Sequence, residues 1–153
     1  RRAKTRKPSF GPAVPSFCNA YRRRRMEIDL RNGQNETVSK RLCALNGLKD
    51  RESRGFEILF DGKTIQFFVV RINDTVFGYT NECPHIGTPL NWKNTTFLTQ
   101  DSDQIICATH GALFRIEDGI CTAGPCLGEK LKRVKLDCID GEITLVSLED
   151  EAI

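Results

Sequence analysis

The sequence has 153 residues, of which 39% are hydrophobic and 28% charged, with a formal net charge of +3. This length predicts one domain with a buried core, and no apolar run approaches the roughly 20 residues that span a bilayer, so we expect no membrane span. Nine of the 23 basic residues and none of the 20 acidic residues lie in residues 1–25, which leaves residues 26–153 with a net charge of −6.

Residues 1–25 form a basic segment with three prolines and no hydrophobic periodicity, for which we expect disorder. Three interpretations stay open. The segment is an artefact upstream of Met26, which is the sole methionine. It is an organelle transit peptide, since such peptides are rich in arginine and poor in acids. Or it is an arm that binds nucleic acid, which we disfavour because neither a basic surface nor interleaved aromatic residues follow.

Residues 26–54 are polar and mixed in charge, with a weak helical tendency around residues 38–48, and we treat them as a lead-in. From residue 55 onward, β-branched and aromatic residues dominate short segments that are separated by turn residues. We predict strands over residues 56–60, 64–72, 75–79, 104–107, 113–117, 120–122, 131–136 and 143–148. We predict turns at Asp61-Gly62, Asn73-Asp74, Asp118-Gly119 and Asp140-Gly141. Residues 55–148 are therefore predicted to be an all-β domain, followed by an acidic tail over residues 149–153.

Two short stretches each pair a thiol with an imidazole: CPHIG at residues 83–87 and CATHG at residues 107–111. They contain the only two histidines of the chain. Two thiolates and two imidazoles hold either a tetrahedral Zn²⁺ or a [2Fe–2S] cluster with two Cys on one iron and two His on the other. Zinc knuckles usually pair like ligands, whereas here each stretch supplies one Cys and one His. The pattern therefore favours the binuclear cluster.

The glycine of each stretch, Gly87 or Gly111, lets the backbone approach closely, and we expect its N–H group to point at sulfide or thiolate.

The cysteines outside the two stretches are interpreted separately. Seven cysteines at irregular spacing argue against a disulfide framework. We expect Cys121, Cys126 and Cys138 to be buried core thiols and not ligands, because free Cys packs as a small hydrophobe.

The pattern C-P-H-x-G-x-x-L at 83–90 and C-x-x-H-G-x-x-F at 107–114, followed by Gly124 and Pro125, resembles the Rieske [2Fe–2S] domain. The resemblance covers residues 55–148. It implies a Rieske-type antiparallel β-sandwich or barrel, with a subdomain of cluster-binding loops at one tip and one [2Fe–2S] cluster per chain. It also implies a site: Cys83 and Cys107 on the buried iron, His85 and His110 on the outer iron, and a covering loop at Gly124 and Pro125.

The departures from the family pattern bear on the reduction potential. High-potential Rieske proteins link the two motifs by a disulfide, at the positions that Thr88 and Thr109 occupy here. They also place hydroxyl residues near the second motif, where this chain has Ala112 and Phe114. Fewer hydrogen bonds to sulfur stabilise the reduced cluster less, so we expect a ferredoxin-like, low-potential type without the disulfide.

The resemblance implies one-electron transfer, as a soluble ferredoxin or as the small electron-transfer subunit of an oxygenase or reductase system. The expected partners are a reductase as donor and an oxygenase or another protein as acceptor. A ring-hydroxylating oxygenase needs a further iron on two His and a carboxylate. Because the cluster uses both histidines, we expect an electron-transfer component and not a stand-alone catalyst. A non-redox zinc-binding module and a labile-cluster sensor remain alternatives.

Metal thiolates fit a reducing compartment. We therefore expect a cytoplasmic protein, or one of an organelle matrix if residues 1–25 are a transit peptide.

Overall fold

The structure is a computed structural model that describes residues 40–60, 62–92 and 96–148. The interpretations of residues 1–25 and 149–153, and of most of the lead-in, fall outside these residues. The described part forms nine strands, β1 to β9, and a short 3₁₀ helix at Leu45–Gly47. The strands are Lys40–Ala44, Ser53–Phe60, Lys63–Ile72, Thr75–Thr80, Gln104–Ile106, Leu113–Arg115, Cys121–Ala123, Val134–Ile139 and Glu142–Leu148. No helix in the described part is long and apolar enough to cross a membrane.

The strands form three antiparallel sheets of three strands each, in the orders β1-β9-β8, β2-β3-β4 and β5-β6-β7. The all-β fold class is therefore confirmed. Each strand predicted from residue 55 onward is present to within a few residues. The β8–β9 hairpin turns as its sequence predicts, because Asp140 and Gly141 adopt φ angles of 51° and 78°, the left-handed pair that a type I′ turn requires.

The predicted weak helical tendency around residues 38–48 is wrong for residues 40–44, and in the described part of this range only the short 3₁₀ helix at Leu45–Gly47 is helical. Lys40–Ala44 is a strand that pairs with β9, and the bidentate ion pair between Arg41 and Glu142 spans the two strands at 2.7 and 2.9 Å. Pairing with β9 and burial of Leu45 and Leu48 override a sequence of low β-propensity. Residues of the predicted lead-in thus share a sheet with β8 and β9.

Strand β3 separates two hydrophobic cores. Successive side chains of a strand point to opposite faces. Phe67 and Val69 accordingly pack into the first core, with residues of β1, β8 and β9. Phe68 and Val70 pack into the second core, which lies beneath the two Cys/His stretches. In the second core, Phe68 stacks on Phe97 with ring centroids 4.2 Å apart, which fixes the segment between the two stretches to the β2-β3-β4 sheet.

Candidate metal centre

The two Cys/His stretches fold into loops with the same hydrogen-bond frame. In the first loop (residues 83–88), the N–H of Cys83 donates to the carbonyl of Thr88 and the N–H of Gly87 donates to the carbonyl of Cys83, both at 2.8 Å. In the second loop (residues 107–112), the corresponding bonds join Cys107 to Ala112 and Gly111 to Cys107, both at 2.9 Å. Each loop therefore closes on its own cysteine, although His is the third residue of one loop and the fourth of the other.

The loop glycines have a different role from the predicted one. Gly87 and Gly111 adopt φ angles of +73° and +70°, a conformation that side chains with a Cβ rarely take. Their N–H groups donate to the cysteine carbonyls, so the expectation that these groups point at sulfur is wrong. A Cβ at Gly111 would meet no atom within 4 Å, so the backbone conformation and not the available space favours glycine there.

Each of the two loops carries one imidazole and one thiol of the candidate ligands. The imidazole rings of His85 and His110 are edge to face, with centroids 5.1 Å apart and an angle of 79° between the rings, and both residues are exposed. Cys83 and Cys107 are buried in the second core, 2% and 1% exposed. The structure thus separates a buried pair of thiols from an exposed pair of imidazoles.

Burial is the main influence on the Cys83 thiol, whose pKa it raises above the ordinary value. The backbone N–H of His85 donates to the Cys83 sulfur and acts in the opposite direction, since it stabilises the thiolate. A thiolate in this apolar core needs a nearby positive charge, which metal coordination supplies.

Asn81 ties the first loop to its surroundings, and the sequence analysis missed it. Its buried Oδ1 accepts the N–H of Leu90 at 2.8 Å, which closes the chain around the first loop. The carbonyl of Leu90 in turn accepts the N–H of Ala108 in the second loop at 2.7 Å. An Asn two residues before Cys83 is the only sequence signal, since Asn side chains often bond to nearby backbone groups.

Two threonine hydroxyl groups join the loops. They lie at the positions where, by the family resemblance, high-potential Rieske proteins carry a disulfide. The Oγ1 atoms of Thr88 and Thr109 lie 3.4 Å apart, and Trp92 Nε1 donates to Thr109 Oγ1 at 3.3 Å. The residues expected to replace sulfur-bonding hydroxyls, Ala112 and Phe114, are fully buried in the second core.

A protein-family comparison agrees with the two loops, in which the thiols are buried and the imidazoles exposed. The family model described as "Rieske [2Fe-2S] domain" matches residues 39–143. The chain belongs to the Rieske [2Fe–2S] domain family. It is therefore an electron-transfer protein with one [2Fe–2S] cluster per chain, and the two Cys and two His of the paired loops have the composition that this cluster requires.

Solved structures share the fold. The chain is 25% identical to the ferredoxin of carbazole 1,9a-dioxygenase from Nocardioides aromaticivorans, covering 72% of this chain and 99% of that chain with a TM-score of 0.58. A chain from a complex of reduced oxygenase and oxidized ferredoxin in carbazole 1,9a-dioxygenase matches with 20% identity and a TM-score of 0.60, over 76% of this chain and 100% of that one. A chain from the reduced complex between the same two components matches with 21% identity and a TM-score of 0.58, over 74% of this chain and 29% of that one. No curated protein sequence matches.

A loop at residues 124–128, here called the covering loop, packs directly on the second Cys/His loop. Gly124 has a φ of +109°, and a Cβ there would lie 2.8 Å from the Cα of Ala112. Pro125 and Leu127 are exposed, whereas Cys126 between them is buried. Only glycine permits this approach, so the covering loop needs Gly124 to turn Cys126 inward.

Two further thiols lie in the core of the site. Cys126 Sγ donates to Cys121 Sγ at 3.3 Å, and both residues are buried free thiols, as predicted. Burial raises the pKa of Cys126 to about 12, and the neighbouring Cys121 sulfur adds to the rise. Cys138 is half-buried on β8, where it packs against the first core, so it is less buried than predicted.

Proposed function

We propose that this Rieske protein carries single electrons from a reductase to an oxygenase, with Cys83 and Cys107 on the buried iron of its cluster and His85 and His110 on the outer iron. The observation that carries the ligand assignment is the edge-to-face pair of exposed imidazoles, 5.1 Å apart, above two buried thiols. This donor set contains both histidines of the chain. It also supplies the two-Cys, two-His composition that distinguishes a Rieske cluster from an all-cysteine one.

The bound cluster supplies a one-electron redox couple. The protein supplies the surroundings. The second core excludes water from Cys83 and Cys107, and the shared loop frame holds each cysteine at a fixed position. The exposed edges of His85 and His110 give the shortest route from the centre to the surface. We infer that a partner receives the electron at this edge.

An apolar rim around the histidines supports a protein partner. Ile86, Trp92 and Leu127 are 57%, 65% and 69% exposed, although large apolar side chains are usually buried. Ile86 follows His85, Leu127 lies on the covering loop, and Trp92 bonds to Thr109 of the second loop. Such residues form the core of transient interfaces. The similarity to a dioxygenase ferredoxin over almost the whole of that chain favours an oxygenase as acceptor.

Spectroscopy of the purified protein tests the ligand assignment. We expect two irons and two sulfides per chain, visible absorbance, and an electron paramagnetic resonance signal after dithionite that is typical of two-His coordination. His85→Ala and His110→Ala should each abolish this signal, and Cys83→Ala should prevent assembly. Cys43→Ala is the matched control, because Cys43 is a free thiol that packs against the first core. The signal of this variant should equal that of the wild type.

Stoichiometric reduction of cytochrome c tests the transfer. One dithionite-reduced chain, freed of excess reductant, should reduce one cytochrome c, because the cluster stores one electron. A colourless protein with one zinc would overturn the proposal in favour of the zinc-binding module. Cluster loss in air coupled to a change in partner binding would instead favour the sensor. A mixture with a reductase and an oxygenase then tests the partners, through oxygenase turnover that depends on this protein.

We also propose that the protein acts in the cytoplasm, since thiolate ligands persist in a reducing compartment. Fractionation of the source cells, with mass determination of the mature N-terminus, distinguishes this from an organelle matrix.

A further inference from the structure

Cys121 and Cys126 place two thiols next to each other outside the two Cys/His loops. Their Sγ atoms lie 3.3 Å apart, and both residues are free cysteines that are almost fully buried. Cys121 is the first residue of β7 and Cys126 lies on the covering loop, so the pair joins a strand to a loop. The proposed electron transfer gives neither thiol a role.

Backbone hydrogen bonds hold the two thiols close together. The N–H of Gly128 donates to the carbonyl of Cys121 at 3.0 Å, and the N–H of Cys121 donates to the carbonyl of Glu129 at 2.8 Å. The N–H of Glu129 in turn donates to the carbonyl of Cys126 at 2.9 Å. These three bonds return the chain from Cys126 to β7 within a few residues. The proximity of the two sulfurs therefore follows from the backbone.

The two sulfurs need little movement to form a bond. A disulfide has an S–S length of about 2.05 Å, so the separation of 3.3 Å has to shrink by about 1.3 Å. Pro125 and Leu127, on either side of the buried Cys126, are both exposed. Because the covering loop is at the surface, its local opening is sufficient to admit a small oxidant to the pair.

We propose that Cys121 and Cys126 are an oxidation site, a dithiol that hydrogen peroxide converts to a disulfide between β7 and the covering loop. In a reducing compartment the pair stays a dithiol, and the oxidant closes it. The disulfide then ties the covering loop, which packs on the second Cys/His loop through Gly124, to a strand of the β5-β6-β7 sheet.

The reaction takes two steps and uses one peroxide. Cys121, whose sulfur accepts the S–H of Cys126, attacks one oxygen of the peroxide and the O–O bond breaks. The released hydroxide leaves as water with the Cys121 proton, and Cys121 becomes a sulfenic acid. The sulfur of Cys126 then displaces the hydroxyl group from Cys121, and this group leaves as water with the Cys126 proton. The protein loses two hydrogens, and the peroxide is reduced to two waters.

Peptide mapping of the cluster-loaded protein after exposure to hydrogen peroxide tests this inference. Trypsin cleaves after Lys and Arg, so it releases residues 116–130 as one peptide that contains Cys121 and Cys126 and no other cysteine. After alkylation without reduction, this peptide should carry no alkyl group and should be two hydrogens lighter than its reduced form. The disulfide form should exceed forms that have gained oxygen roughly tenfold, because the second step is intramolecular. Dithiothreitol should restore both thiols.

Cys43 gives a comparison within the same chain. It is a free thiol, half-buried on β1, and it is the only cysteine of the tryptic peptide 42–49. This peptide should gain oxygen or stay reduced. Cys126→Ser should leave Cys121 as a sulfenic acid, which dimedone labels. A wild-type 116–130 peptide that keeps two thiols open to alkylation, or that gains oxygen instead of losing two hydrogens, would overturn the inference. Because the readout is the mass of one peptide, it is independent of which residues bind the iron.

The tie between β7 and the covering loop has a readout of its own. Thermolysin cuts before large apolar residues, and Leu127 of the covering loop is 69% exposed. Cleavage there needs local opening of the loop, which the disulfide restricts, so it should be about fivefold slower in the oxidised protein. The same treatment should not slow cleavage in Cys126→Ser, which cannot form the bond. Equal cleavage rates in the reduced and oxidised wild type would show that the disulfide does not hold the loop.

Discussion

The Oγ1 atoms of Thr88 and Thr109 lie 3.4 Å apart and link the first and second Cys/His loops. They occupy the positions at which the family resemblance implies a disulfide in high-potential members. A neutral hydrogen bond contributes only about 0.5–1.5 kcal/mol to stability. The loops are therefore held mainly by their backbone bonds and by the core beneath them, and the side-chain link between them is weak.

Thr88→Cys with Thr109→Cys should form a disulfide across the loops. Closing a loop of this size stabilises a protein by about 3 kcal/mol in the chain-entropy model. We therefore expect slower loss of visible absorbance on heating in the oxidised double variant. Mass spectrometry should show two fewer hydrogens than in its reduced form. The single variants Thr88→Cys and Thr109→Cys are the controls, and two titratable thiols surviving in the oxidised double variant would refute the prediction.

Gly124→Ala should destabilise the site, because its Cβ would lie 2.8 Å from Ala112 Cα at a φ of +109°. Steric overlap and a strained backbone together cost about 3 kcal/mol or more. The matched control is Gly128→Ala, where φ is +86° but a Cβ meets nothing within 4 Å. It should cost only about 1–2 kcal/mol. Midpoints of thermal cluster loss measure both, and equal midpoints would show that the close approach does not matter.

Asn81→Ala should weaken the first loop. It leaves the buried N–H of Leu90 without its acceptor, which costs about 1–3 kcal/mol. Gln66→Ala is the control, because it removes the 3.4 Å contact to Asn81 Nδ2 and a bond to the exposed Glu57 but leaves the acceptor of the Leu90 N–H in place. We expect faster cluster release to a chelator in Asn81→Ala than in Gln66→Ala. Equal release rates would argue against a role for Asn81.

The turn between β6 and β7 should contribute stability that depends on pH. The Arg115 guanidinium, followed by the N–H of Ile120, lowers the pKa of Asp118 below 3.8. A carboxyl whose pKa is depressed by folding stabilises the fold above its unfolded pKa, and this contribution is lost as the pH falls through the folded pKa. Asp118→Asn should therefore be less stable than wild type at pH 7, and the difference should vanish in acid. A difference that is constant from pH 7 to pH 3 in urea unfolding would contradict this.

The sequence predicted most of the fold because β-branched segments and turn residues coincide with the strand ends from Ser53 onward. It missed β1, since KRLCA has little strand propensity and becomes a strand only through pairing with β9. The four candidate ligands were evident from composition and spacing. The support of Asn81 was not, because it acts through a hydrogen bond that only the folded loop makes. The orientation of the Gly87 and Gly111 N–H groups was predicted wrongly, since the loops use these groups for their own closure.

The separation of the two cores by β3 has a consequence for the protein without iron. Four of the fifteen buried residues of the second core are cysteines. Two of them, Cys83 and Cys107, are proposed ligands and are also part of the packing of this core. Release of iron would therefore remove the links between ligands in the second core and none in the first. Local opening should begin in the second core while the first core stays protected from hydrogen exchange. Cluster assembly would then complete the folding of one half of the molecule on a half that is already formed.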